Sequence, residues 1–174
     1  MNWPSCRRSV VAEPSPAKDG PALQLALRQA PFEPLQVLAE WHSRLAGEPD
    51  GPCAAEAHFI GRVRAATAAG EPLEALELEH YPGMTEAQLE QLARGCALRH
   101  GAAAVLVVHR VGRILPGEAI VLVAVAADRR GPAQRCGQEL LELLKHEAPF
   151  WKREWSCGEG GSGVGSWVEG NTAL

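Results

Sequence analysis

Residues Ala103–Ala127 read AAVLVVHRVGRILPGEAIVLVAVAA, two long β-favouring apolar runs around a short polar stretch with Gly112 and Pro116-Gly117. Ala103–Val111 and Ala119–Ala127 are too continuously apolar to leave one face in water, which predicts two central strands. What covers them has to come from the flanking sequence.

On the C-terminal side, Pro132 suits the first turn of a helix whose apolar positions include Ala133, Cys136, Leu140, Leu144 and finally Ala148, with Pro149 ending it. On the N-terminal side, Thr85 followed by Gln88 forms a capping-box pattern. It predicts a helix from Glu86 to about Arg99 with Leu89, Leu92, Ala93 and Cys96 on its buried stripe. Further upstream, Leu73–Tyr81 alternates Leu76 and Leu78 with Glu77 and Glu79. Ala55–Arg64 places Ala57, Phe59 and Val63 opposite Glu56, His58, Arg62 and Arg64, with Ile60 as the exception. Both read as half-buried strands, and as sequence neighbours they are expected to pair. A strand over Leu23–Ala30 ends at Pro31, and Pro34 opens an amphipathic helix stopped by Gly47 and Pro49.

The ends are of different composition. Residues 1–20 hold Pro4, Pro14, Pro16, Gly20 and the pair Arg7-Arg8 without apolar periodicity, which predicts a disordered N-terminal extension. Ser156–Ser166 is mostly Gly and Ser, giving a flexible loop before Trp167–Glu169 returns as a short strand. The expected organisation is therefore an extension over 1–20, one domain over 21–155, and a Gly-rich loop and tail over 156–174. Gly158, Gly160 and Gly163 match G-x-G-x-x-G in form only. The dinucleotide fingerprint requires a following helix and an acidic partner about twenty residues on, and the eleven residues after Gly163 hold neither. There is no internal repeat.

The 174 residues are 46% hydrophobic and carry a formal net charge of −4, so no overall field favours nucleic acid or an anionic membrane surface. No apolar run approaches the ~20 residues of a membrane span, and no signal-peptide stretch opens the chain; a cytoplasmic location is expected. Five cysteines without a C-x-x-C pair, and six histidines of which no two sit at i, i+4 in a predicted helix, argue against a disulfide framework and against a metal centre.

Chemistry concentrates in LKHEAPFWKRE, Leu144–Glu154. Lys145 falls in the last turn of a helix, and Pro149 turns the chain so that Lys152 returns on an extended segment among Phe150, Trp151 and Trp155. A lysine close to other cations and partly desolvated by aromatic walls is a candidate base or nucleophile; the plainer account has Lys145 complementing the helix dipole and Lys152 solvated. Arg62, Arg64, Arg129 and Arg130 lie on or just beyond strands, where guanidinium groups suit bidentate capture of phosphate or carboxylate, although each taken singly reads as a surface charge. His80 and His109 end strands and read as structural.

LEHYPGM at Leu78–Met84, HRVG at His109–Gly112, PGE at Pro116–Glu118 and LKHEAPFWKRE, in this order and spacing, resemble the large, catalytic subunit of molybdopterin synthase over about Leu23 to Glu169. The resemblance implies an α+β fold of the hammerhead type, mostly antiparallel sheet with packed helices. It implies a sulfurtransferase that converts cyclic pyranopterin monophosphate to molybdopterin. Two sulfurs come from the thiocarboxylated C-terminus of a small ubiquitin-like subunit. It implies a homodimer within a heterotetramer and no metal or other cofactor. On the matching positions, Lys145 would sit beside the incoming thiocarboxylate and Lys152 would assist proton transfer or substrate binding. Arg64 and Arg130 would hold the pterin phosphate, and an arginine of a neighbouring protomer would complete each pocket. The chain departs from the family pattern at Arg129, where a histidine is usual, at Gln134, where an aromatic is usual, and at Gly170-Asn171, where an arginine often follows. These departures leave a second reading open, a non-catalytic scaffold that still docks the ubiquitin-like subunit.

Overall fold

A computed structural model describes residues 20–47, 53–67, 69–157 and 163–168. The elements run β1 (Ala22–Arg28), α1 (Pro34–Ala46), β2 (Ala55–Arg62), β3 (Leu73–His80), α2 (Met84–His100), β4 (Ala104–Arg110), β5 (Gly112–Ile114), β6 (Ala119–Ala127), α3 (Arg130–His146), β7 (Phe150–Cys157) and β8 (Gly163–Trp167). The fold is α+β, with two four-stranded sheets ordered β1-β4-β6-β2 and β5-β3-β7-β8. Among the described residues, β1 and β4 pair in parallel and the other strand pairings are antiparallel.

The two apolar runs are the inner strands of the first sheet, side by side with Val105 opposite Val125 and Val107 opposite Val123. Successive side chains point to opposite faces, and each face has its own cover. Val105, Val107, Val123 and Val125 pack with Leu89, Ala93, Cys96, Cys136 and Leu140 of α2 and α3. Leu106, Val108, Leu122 and Ala124 pack with Val37, Leu38 and Trp41 of α1. That double coverage is why neither run alternates with polar residues. Cys96 and Cys136 fill the contact between α2 and α3, their sulfurs 3.7 Å apart.

Several expectations are corrected. β2 and β3 do not pair: β2 lies against β6, and β3 lies between β5 and β7, while the loop joining them closes on itself through an Ala66–Pro72 bridge and the Leu73 N–H donating to the Ala65 carbonyl at 2.9 Å. The central β6 offers β2 nearly full-length register, which wins over sequence proximity. Helix α2 starts at Met84 and its box is formed by other residues. Gly83 is the N-cap at φ 82°, and its N–H donates to the Glu86 carboxylate at 2.6 Å. Thr85 is wholly buried, its hydroxyl accepting from the Tyr81 N–H at 3.1 Å and donating to the Pro149 carbonyl at 3.5 Å. Helix α3 ends at His146, so Ala148 lies in the turn beyond it.

The Gly-rich stretch also contains more order than its composition indicates, because Gly163–Trp167 is a strand paired with β7. A Cβ at Gly165 would stand 2.9 Å from Arg153 Cδ and 3.3 Å from the Trp155 ring, so the close approach of β8 depends on glycine. The expected extension falls, apart from Gly20, outside the described residues, as do Gly158 and Gly160.

Candidate functional site

A cavity of about 590 Å³ opens where β2, β3, β6 and β7 meet the C-terminal half of α3. Its floor is apolar, with Leu73, Leu76 and Leu78 of β3, Ile120 and Val121 of β6, and Leu141, Leu144 and Phe150. Its charged lining is Arg62, Arg64, Lys145 and Lys152, with Glu142 and Glu154 as counter-charges. An apolar bed with a few fixed polar groups is the usual make-up of a small-molecule site.

Each cation arrives by a different local device. Lys145 occupies the last turn of α3, where a cation also complements the helix dipole. Glu147 caps the helix, the chain turns through Ala148-Pro149, and Lys152 follows on β7 opposite Leu78. Lys152 is partly buried, with Nζ 3.5 Å from Glu154 Oε1 two residues on along the same strand face. Arg62 follows an irregularity in the β2–β6 register after Gly61, and its guanidinium donates to the Gly117 carbonyl at 3.1 Å. Arg64 lies just past the strand end. Lys145, Lys152, Arg62 and Arg64 are thus brought together around one cavity.

Arg129 and Arg130 are not among the lining residues. Arg129 is the N-cap of α3 and Arg130 its first residue, beyond the Ala127 end of β6, whereas Arg62 lies at the Ala119 end. Nine residues of strand put about 26 Å between those ends at roughly 3.3 Å per residue. Within one chain these four arginines therefore form two groups rather than one phosphate pocket.

The sequence alone gives His109 a structural role and does not single out Gln138 or Glu142, both of which line the cavity. His109 lines the cavity, stacked on Phe150 with ring centroids 4.3 Å apart. Burial pushes its pKa down to about 4, so the ring is neutral at physiological pH. Its Nδ1–H donates to the Arg110 carbonyl at 2.8 Å, which leaves Nε2 unprotonated. Gln138, Leu141, Glu142 and Lys145 stand at i, i+3, i+4 and i+7, one face of α3, and that spacing was visible in the sequence. Phe59 was assigned to the buried side of β2, yet it is 45% exposed at the cavity wall.

Fold and cavity together define an α+β enzyme domain with a cationic, partly apolar pocket. The chain belongs to the MoaE protein family, whose model matches residues 28–147. It is 43% identical over 130 residues to the molybdopterin synthase catalytic subunit of Caulobacter vibrioides, covering 75% of this chain and 81% of that protein. A solved molybdopterin biosynthesis MoaE protein from Burkholderia ambifaria superposes with a TM-score of 0.67 at 35% identity, covering 87% of this chain and 92% of the other. Molybdopterin synthase from Staphylococcus aureus superposes with a TM-score of 0.66 at 26% identity, covering 84% and 96%. Membership gives the chain an enzymatic role in molybdenum cofactor biosynthesis. No helix among the described residues is long and apolar enough to cross a membrane.

Proposed function

We propose that the chain is the sulfur-transferring subunit of a molybdopterin synthase, which converts cyclic pyranopterin monophosphate to molybdopterin with two sulfurs from the thiocarboxylate terminus of a small ubiquitin-like subunit. The observation that carries the reading is the convergence of Lys145 and Lys152, seven residues apart across the Pro149 turn, on one cavity with Arg62 and Arg64. Sulfur addition and opening of a cyclic phosphate both move negative charge. Fixed cations above an apolar floor stabilise that charge without reorganising. In this scheme Lys145 meets the incoming thiocarboxylate, Lys152 moves a proton or holds substrate, and Arg62 and Arg64 hold the anion. The neutral His109 Nε2 adds a proton acceptor beside Phe150. The word subunit in the relative's name fits a cavity open to a partner's chain terminus.

Arg129 and Arg130 enter this scheme through a second copy. Standing at the far end of the sheet from their own cavity, they reach a bound phosphate only across a dimer, in keeping with a homodimer inside a heterotetramer. The test is reconstitution with thiocarboxylated small subunit and pterin precursor. Lys145→Ala should lose most of the product while its circular dichroism and partner binding are kept. Full turnover by that variant rejects the assignment, and partner binding without product by the parent chain would favour the scaffold reading.

A further inference from the structure

On the opposite side of the first sheet from the cavity, β2 faces α1. There the Nε2 atoms of His42 and His58 both point at one oxygen, Glu56 Oε2, at 2.7 and 2.8 Å. His42 lies on α1, and Glu56 and His58 lie two residues apart on β2, so they share a strand face. All three donor atoms lie within 4.8 Å of one another. We propose that His42, Glu56 and His58 form a binding site for a divalent transition ion of the zinc class, separate from the cavity and from sulfur transfer.

The donor set and its spacing carry this. Two imidazoles and a carboxylate suit Zn²⁺, Co²⁺ and Ni²⁺ and suit Mg²⁺ or Ca²⁺ poorly. Bonds of about 2.0–2.1 Å at tetrahedral angles hold ligand atoms roughly 3.3 Å apart. The two histidine contacts to Glu56, at 2.7 and 2.8 Å, have to open toward that separation, a movement of side chains rather than of backbone. The side chains have room to make it, being 45%, 24% and 32% exposed for His42, Glu56 and His58. Behind them Trp41, 3% exposed, packs its indole 5.6 Å from the His42 ring and 6.1 Å from the His58 ring, and so fixes their common orientation. The solvent side stays open for a water as fourth ligand. A bound ion would tie α1 to the edge strand β2.

A second cluster, Cys96, His100 and Glu139, has comparable spacing but a competing occupant. The Glu139 carboxylate is already held by the Arg99 guanidinium at 2.6 Å as well as by His100, and a fixed cation there opposes a metal ion.

The experiment is titration of the full chain with Zn²⁺ by calorimetry and with Co²⁺ by visible absorption. The expected result is one equivalent bound, with ligand-field bands but no thiolate charge-transfer band, and a raised melting temperature with Zn²⁺. His42→Ala and His58→Ala should each weaken binding by roughly 10–100-fold or more and leave the metal-free melting temperature unchanged. Glu56→Gln should weaken it less, and His100→Ala not at all. Absence of stoichiometric binding overturns the proposal. So does binding that survives His42→Ala and His58→Ala, or that shows thiolate bands and disappears in His100→Ala.

Discussion

The imidazole of His109 lies flat against the ring of Phe150, centroids 4.3 Å apart and planes 14° from parallel. The stack joins the end of β4 to the start of β7, where Phe150 falls between Lys145 and Lys152 in sequence, and all four residues line the cavity. Because burial holds the His109 pKa down at about 4 against an ordinary 6.5, the folded protein binds this proton less readily than the unfolded chain. Above about pH 6.5 neither state is protonated there and the contribution to stability is complete. As pH falls from 6.5 to 4 the unfolded chain takes up the proton first, and stability is lost, on the order of 3 kcal/mol in all. His109→Asn keeps an N–H for the Arg110 carbonyl and removes the titration. Urea unfolding at pH 4.5 and 7.5 should therefore show the parent losing more stability than the variant; parallel losses would refute the assignment.

Thr85 connects the start of α2 with the Pro149 turn that sets the two lysines relative to each other. Thr85→Val preserves shape and removes both hydrogen bonds, leaving the Tyr81 N–H without its acceptor. A cost of about 1–2 kcal/mol is expected, together with a severalfold drop in turnover, while Thr85→Ser should retain both. Equal stability of the Val and Ser variants would show that the hydroxyl is idle.

Gly61 stands where the β2–β6 register shifts, immediately before Arg62. A Cβ there would come within 2.8 Å of Val121 Cγ1 and 3.2 Å of the Phe59 ring, and the stiff, packed valine has little room to yield. Gly61→Ala should cost about 1–3 kcal/mol and weaken substrate binding more than it lowers saturated turnover, because it displaces Arg62 and Arg64 rather than the lysines. An unchanged KM would separate the register shift from arginine placement.

How much of this was legible follows from the range of the forces involved. Hydrophobic period is a local signal, so β4, β6, α2 and α3 could be read directly, and the helix, Pro149 and strand order gave the placement of Lys145 and Lys152. Strand partners are not local: nothing in Leu73–Tyr81 says that it prefers β7 to β2, and Gly163–Trp167 becomes a strand only because β7 offers it an edge. Thr85 carried a capping pattern but was claimed by a tertiary contact 64 residues away. The separation of Arg129 and Arg130 from Arg62 and Arg64 is a matter of strand direction, which residue type does not encode. His42, Glu56 and His58 escaped because their alignment depends on α1 crossing β2.

Arg110 is the largest wholly buried side chain among the described residues, 2% exposed at the end of β4. Its Nη1 lies 3.4 Å from Glu118 Oε2, its Nη2 donates to the Arg113 carbonyl at 3.0 Å, and its Nε has no partner. Glu118 Oε2 also accepts the Leu115 N–H at 3.0 Å, so one carboxylate both neutralises the guanidinium and closes the loop between β5 and β6. The loop carries Gly117, whose carbonyl holds Arg62 at the cavity. Glu118→Ala leaves a buried cation unpaired and should cost about 3 kcal/mol, whereas replacing both partners by apolar residues of similar size should cost much less. Urea denaturation of Glu118→Ala, Arg110→Met and the double variant checks this. The double variant should be more stable than Glu118→Ala alone, and if the two single losses simply add, the ion pair is not what organises the loop.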